Sequence, residues 1–281
     1  MISASRPPNP AGRPNRLTDP AALARNRLRA LRLGPAEPLH RIAADELHDR
    51  LQEVNRSFRS IAVVTPWPEL WAGYVPDAQI RPDTERLDLP GDLDLVIHAM
   101  GLHWADDPVG QIVQCARALK PDGLFIAVCP GGDTLRELRE VLMQAEIAVT
   151  GGLSPRVLPM GEIRDLGGLL SRAGLALPVA DHVTIPASYR DLFHLAADLR
   201  AMGETNALAD RLRVPTRREV FARAAADYAV THPDPDDSSR IIATFDLVFL
   251  TGWAPDAGQQ KPLRPGSAKM PLAAALNARK T

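Results

Sequence analysis

Four short stretches of this 281-residue chain carry residue types that do chemistry. The first is His103-Trp104 in "GLHWADDP" (101–108). An imidazole on a loop after an apolar run can act as a base or orient a substrate. The competing role is structural: His103 caps the next helix and Trp104 packs beneath it. The second is "GGDTLRELR" (131–139), where Gly131 and Gly132 permit a sharp strand-to-helix turn and Asp133 stands at the N-cap position. Such turns lie at the carboxyl edge of an open α/β sheet, where ligands bind. Asp133 therefore has a second role open to it, facing a basic substrate such as an arginine side chain. Arg136 and Arg139 belong to a solvated helix face, and either could meet an acidic partner.

The third stretch is "MGETNA" (202–207). Gly203 ends a helical pattern, so Glu204 and Asn206 are either part of a C-cap turn or groups facing a substrate. The fourth, "SIAVVTPWPELWAG" (60–73), is notable for what it lacks. A buried strand leads into Thr65-Pro66-Trp67-Pro68, where a cofactor-binding turn would carry glycines. The prolines delete two N–H donors. Losing a few hydrogen bonds at about 0.5–1.5 kcal/mol each weakens a ligand by roughly one to three decades. Trp67 or Trp71 is then expected to fill the space as core. His182, His194 and His232 lack paired metal-ligand spacing, so no metal site is expected. Nor is there a Walker loop or a nucleophile elbow.

The elements that must position these residues follow from periodicity. "LTDPAALARNRLRALRL" (17–33) predicts a basic helix capped by Thr18 or Asp19, and residues 36–55 predict an amphipathic one. Strands are expected at 60–64, 92–100, 123–129, 177–188 and 241–253. Between them lie helices at 106–120, stopped by Pro121-Asp122-Gly123, at 133–148 and at 162–174. The 133–148 helix buries Leu135, Leu138, Val141, Leu142 and Ala145. Residues 189–239 hold two more helical patterns. The order implies a mainly parallel sheet with helices on both faces and the last two strands antiparallel at an edge. Only 29 residues separate Val64 from Asp94, barely one βαβ unit of about 30. Residues 78–80 and 85–89 are expected as short strand remnants. The expected divisions are a basic arm and helix (1–55), an α/β core (56–188 plus 240–254), a helical cap (189–239) and a flexible tail (255–281).

Composition bounds the rest. The chain is 45% hydrophobic and 24% charged with a net charge of −1, which gives no general case for nucleic-acid binding. No apolar run reaches the 18 residues of a membrane span. Two cysteines make no disulfide framework, and a reducing compartment is expected. Residues 1–33 carry seven arginines and one acid, a bias shared with mitochondrial transit peptides, but their prolines disfavour a presequence helix. A bacterial cytoplasm is expected, or the mitochondrial matrix if the source is eukaryotic.

The run from Asp94 to Gly132, with "LKPDG" before a strand and "GGDTLRELR" after it, resembles the second half of a class I S-adenosylmethionine (SAM) methyltransferase. "LHW", "GGDTLRELR", "DLRAMGETNA" and "GSA" (266–268) narrow the resemblance to complex I assembly factors of methyltransferase fold and their alphaproteobacterial relatives. Malonyl-carrier-protein methyltransferases are more distant. The resemblance implies a Rossmann-like class I methyltransferase sheet, shortened at its early strands, with N-terminal helices and a helical cap. It implies SAM as cofactor, with Thr65, Trp67, Asp83 and Met100 at the positions that would meet it and Asp83 near the adenine-facing acid. Asp77 is the one candidate for the ribose-binding acid. The resemblance places His103, Trp104 and Asp133 as catalytic candidates and Arg136, Glu204 and Asn206 as substrate- or partner-facing ones. It implies a protein partner, such as a respiratory-complex subunit, whose arginine the mitochondrial relatives hydroxylate. Because the loop departs from the family's glycines, the expectation is an impaired cofactor site in a protein that acts on or holds a partner. Two alternatives stand beside it, a non-catalytic assembly pseudoenzyme and an active methyltransferase with a rearranged SAM pocket.

Overall fold

The computed structural model describes residues 16–259. Helix α1 (Pro20–Leu33) begins at Asp19, whose carboxylate accepts from Ala22 N, with Pro20 in the first turn. It is followed by α2 (Pro38–Glu53), β1 (Ile61–Val64), the short α3 (Pro68–Tyr74) and β2 (Gln79–Arg81). Next come β3 (Leu93–Ala99), a 3-10 turn at Leu102–Trp104, α4 (Pro108–Ala118) and β4 (Leu119–Gly131). The remainder is α5 (Arg136–Thr150), α6 (Ile163–Arg172), β5 (Ala176–Tyr189), α7 (Leu192–Ala201), α8 (Arg218–Thr231) and β6 (Ile241–Trp253).

The six strands form one sheet in the order β2-β1-β3-β4-β6-β5. β2, β1, β3 and β4 pair in parallel; β6 runs antiparallel to both β4 and β5. β5 and β2 are thus the two edge strands, and the last two strands pair as the sequence implies. Strand alternation splits the core in two. Val63, Leu95, Ile97 and Phe245 face α2, α3, α5, α7 and α8. Ala62, Val64, Val96 and Phe125 face α4 and α6. This is the expected class I methyltransferase-like α/β sheet, shortened at its early strands. β2 has three residues, and no helix links it to β3. The apolar stripe of α5 is buried as expected at Leu135, Leu138, Val141, Leu142 and Ala145.

Several local expectations need correction. Residues 85–89 form no strand; Leu87 is buried but its N–H goes to the Gln114 side chain. α4 stops at Ala118, before Pro121-Asp122-Gly123, because Leu119 already pairs with Leu93; Asp122 takes φ +61° as the new strand bulges. Asp133 does not cap α5. The helix starts two residues later behind Leu135, at φ +56°, while the Asp133 carboxylate binds Arg136 Nη1 at 3.0 Å. The Asp246 carboxylate meets the Asp133 N–H instead, so the turn is held from β6 rather than from within. Of the tail, residues 255–259 fold back: the Gln259 amide donates to Asp122 Oδ1 and Ala254 O. Residues 1–15 and 260–281, including "GSA" at 266–268, lie outside the described residues.

β1 and β3 are tied at their N-terminal ends by Asp94. Its carboxylate accepts from the N–H groups of Arg59 and Ser60 at 3.0 and 2.9 Å and pairs with Lys120. Lys120 and the two N–H donors hold its carboxyl down to about 2. A carboxyl lowered on folding adds stability above its unfolded value near 3.8 and loses it as pH falls through the folded value. Asp94→Asn is therefore expected to lower unfolding stability by about 1–2 kcal/mol at pH 7. The deficit relative to the parent should shrink below pH 4 and vanish only below pH 2, as read by urea denaturation at each pH.

Candidate functional site

The site is built where the β3 loop meets the cap. α7 ends in a Schellman motif, with Gly203 N donating to Arg200 O at 3.2 Å and Glu204 N to Leu199 O at 2.9 Å. Gly203 takes φ +80°, a conformation glycine adopts without penalty. A Cβ on it would lie 3.1 Å from the Trp67 ring and 3.4 Å from Arg27 Cα. The motif therefore fixes the direction of Glu204. Glu204 Oε2 accepts the Trp104 indole N–H at 2.6 Å and lies 3.0 Å from His103 Nε2. His103 thus caps no helix; Asp107 caps α4 through Gly110 N. His103 Nδ1 is buried and has no hydrogen-bond partner among the described residues.

Burial alone would raise the Glu204 carboxyl. The charge and hydrogen bond of His103, the charge of Arg27 and the Trp104 N–H outweigh it and hold Glu204 below the usual carboxylate value. Arg27 reaches in from α1 and grips Asp83 with both guanidinium nitrogens, at 3.0 and 2.8 Å. Asp83 in turn packs on Gly101, where a Cβ would sit 2.7 Å from Oδ2. α1 is anchored further by Asn26 Nδ2 to Thr205 O at 2.9 Å and by Thr18 Oγ1 to Trp104 O at 2.8 Å. Beside this cluster, His40 accepts the Trp71 indole N–H at 3.1 Å, and burial lowers its imidazole to about 4, so it is neutral.

The expected cofactor-side residues are all packed against protein. Thr65 is fully buried and caps Trp67 N; Trp67 is 6% exposed, Trp71 1% and Met100 5%. Asp83 is committed to Arg27, and Asp77 sits in an exposed turn. As sequence reasoning anticipated, tryptophans fill the space after β1. None of Thr65, Trp67, Asp83 and Met100 lines the cavity beneath the cap. Beside this loop the volume is taken by Thr65 and the indoles of Trp67 and Trp71.

The cavity of about 290 Å³ lies between α5 and the cap. Its walls include Leu135, Leu138, Phe221 and Phe245, with Trp104 and Glu204 at one end and Arg200 exposed at the rim. Of the expected site residues, Trp104, Glu204 and Asn206 line it. Asn206 spends its side chain on Pro155 O and Leu208 N, which shapes the turn. Asp133 and Arg136 are exposed, paired with one another, and line no part of it. Sequence reasoning missed Arg27: it sat in a basic helix among similar arginines, and no local signal distinguished it from them. Among the described residues no group of three or more His, Cys, Asp or Glu could hold a metal ion. No helix is long and apolar enough to cross a membrane.

Residues 48–127 match a family described as a methyltransferase domain. Over 177 residues the chain is 44% identical to "Arginine-hydroxylase NDUFAF5, mitochondrial" of Dictyostelium discoideum, covering 63% of this chain and 40% of that protein. The chain is thus similar, over these residues, to methyltransferase-domain proteins. The human protein of the same name is 36% identical over 195 residues, 69% of this chain and 56% of that one. A malonyl-[acyl-carrier protein] O-methyltransferase of Laribacter hongkongensis (strain HLHK9) is 33% identical over 190 residues, 67% and 61% of the two chains. The chain spans about half the length of the curated relatives it matches.

Gly203→Ala tests how tightly this site is built. It forces a Cβ into a left-handed backbone and against Trp67, and is expected to cost about 1–3 kcal/mol. Urea unfolding followed by tryptophan fluorescence reads the loss; a change under 0.5 kcal/mol would show that the contact is slack.

Proposed function

We propose that this chain is an assembly-type member of the family that holds a protein partner, receiving a cationic side chain of that partner in the capped cavity against Glu204. It does so without SAM in the usual place beside Trp67. The observation that carries this reading is the placement of Glu204. Its carboxylate is the acid lining a largely apolar cavity, while the neighbouring Arg27 is held by Asp83 and the lining Arg156 by Glu146. A guanidinium or ammonium entering the cavity meets that buried carboxylate, where an opposite charge is strongly favoured. The Trp104 ring beside Glu204 offers a second attraction for a cation. Leu135, Leu138, Phe221 and Phe245 suit the methylene stem of an arginine or lysine. Arg200 at the rim has no carboxylate partner among the described residues and would favour an acidic neighbour on the partner.

The relatives named arginine hydroxylases support an arginine as that side chain; a respiratory-complex subunit is the partner that the sequence resemblance implies. In this chain His103 orients Glu204 and donates to it; Trp104 does the same from the other side; Gly203 fixes the backbone that presents the carboxylate. These residues bind and orient the incoming side chain and exclude water from it.

Two measurements test the reading. Calorimetric titration of SAM into the full chain is expected to give no binding up to about 1 mM; binding at about 100 µM or tighter overturns the closed cofactor side. Capture of a respiratory-complex subunit by the tagged chain is expected to weaken roughly thirtyfold for Glu204→Gln, the loss of one charge-assisted contact of about 2 kcal/mol. Capture unchanged by that substitution overturns the cavity as the docking point. The captured partner's mass reads any chemistry that follows: a gain of one oxygen marks hydroxylation and a gain of one methylene marks methylation.

A further inference from the structure

Arg156 is a wall of two hollows. One is the cavity that ends at Glu204; the other is a surface groove of about 350 Å³. The groove runs between the loop after α5 (151–156) and the loop before α8 (211–217), with the buried Val220 of α8 among its walls. Both loops are irregular, yet one buried carboxylate ties them together. Ser154 donates to Glu146 from its N–H at 3.1 Å and from its hydroxyl at 2.8 Å. Arg156 donates to the same carboxylate through Nε at 2.9 Å and Nη2 at 2.6 Å. Its remaining Nη1 donates to Thr216 Oγ1 of the second loop at 2.9 Å. Burial alone would raise the Glu146 carboxyl, but Arg156 and Ser154 hold it below the usual value. The two lips of the groove are therefore fixed against each other by satisfied, charge-assisted hydrogen bonds.

What the lips present is apolar. Leu153, Leu212 and Val214 line the groove and are 62%, 42% and 63% exposed. Large apolar side chains gathered at one hollow call for an apolar ligand to cover them. The charge there is one-sided. Within the walls Glu146 and Arg156 pair with each other, and the charge left over is that of Arg217. Arg217 and the adjacent Arg218 are exposed and form no ion pair among the described residues. Arg211 is spent on Asp19 at 2.9 Å, while Arg213 reaches that carboxylate only at 3.4 Å and stays exposed. Residues 211–218 contain four arginines and no acid, with Asp210 and Glu219 at the two ends of the run. In a chain whose net charge is −1, this surplus of positive charge is local. Apolar lips with unpaired guanidiniums beside them fit a ligand that carries apolar and acidic groups together.

We propose that this groove holds the stretch of the partner protein that flanks the side chain received by Glu204, and that this stretch carries apolar and acidic side chains side by side. The apolar ones cover Leu153, Leu212 and Val214, and the carboxylates meet Arg217 and Arg218. The inference rests on the cavity reading for placing a protein chain here, and its test separates the two. The probe is a fluorescein-labelled peptide of about twelve residues, with one central arginine flanked on each side by alternating leucine and glutamate. Anisotropy reads its binding to the full chain. Matched peptides carry lysine for glutamate, serine for leucine, or glutamine for the arginine. The leucine–glutamate peptide is expected to bind roughly tenfold tighter than the lysine and serine peptides, with its lead over the lysine peptide shrinking in about 0.5 M salt. Arg217→Glu with Arg218→Glu should weaken it roughly tenfold and leave the lysine peptide no weaker. Leu153→Ser with Val214→Ser should also cost roughly tenfold. All four positions are exposed, so the circular dichroism spectrum should stay that of the parent. Equal binding of the leucine–glutamate, lysine and serine peptides, no binding of any, or full binding by both groove variants overturns the proposal. If those variants lose affinity while Glu204→Gln and the arginine-free peptide keep it, the groove stands and the cavity reading falls; the reverse pattern sinks the groove alone. A concentration-dependent dimer in sedimentation velocity that the Leu153→Ser, Val214→Ser variant dissolves also overturns the proposal, since it assigns the groove to a second copy of the chain.

Discussion

One buried carboxylate ties the molecule's separate parts together. Glu204 sits at the end of the cap's first helix, yet its oxygen is claimed by two side chains of the loop after β3, 100 residues earlier in the chain. A carboxylate taken from water without such donors would cost several kcal/mol, so Glu204 is tolerated only where Trp104 and His103 meet it. Arg27 lowers the cost further through space, and Arg27 is itself held by Asp83. Four segments therefore have to arrive together: α1, residues 82–84, the 3-10 turn and the Schellman turn. The geometry of each is overdetermined by the others, which is why left-handed backbone at Met100 and Gly203 is tolerated on either side of the cluster.

The shortened early strands explain how a methyltransferase sheet came to be packed this way. β2 has three residues, α3 has seven, and the return from β2 to β3 has no helix. A full set of strands and helices would occupy the space beside β1. Here α3 delivers Trp71 and the turn before it delivers Trp67; His40 of α2 packs against both, and Arg27 of α1 reaches Asp83. Two indoles bury more apolar area than the small residues of a glycine-rich loop and stabilise the truncated sheet accordingly. Pro66 and Pro68 leave this turn without two backbone N–H donors, and the indoles beside it occupy volume as core.

The legible and illegible features divide along physical lines. Strands buried on both faces write themselves as unbroken apolar runs, so β3, β4 and β6 were readable, and β6 was readable to its end residues. Asp19 with Pro20 is a local signal, contained in four residues, and α1 begins where it says. The misjudged features depend on distant partners. Nothing within "GGDTLRELR" reveals that Asp246 from β6 will take the Asp133 N–H and displace the helix start to Arg136. Nor does "LKPDG" reveal that Leu119 will already be paired with Leu93. At the site, His103, Trp104 and Glu204 were each visible as residue types, but their convergence on one oxygen is a tertiary fact. Arg27 carried no local mark at all, since its role exists only because Asp83 is there.

α1 links the site to the surface by geometry alone. A helix turns 100° per residue, so with Asn26 and Arg27 fixed inward, Arg25, Leu28 and Arg29 must project away from the body. The outer side chains cannot be presented in this orientation without the inner contacts, and the inner contacts cannot loosen without tilting the helix. The compensation of Glu204 rests in turn on Arg27. The electrostatic surroundings of Glu204 are consequently set in part by how firmly α1 is held.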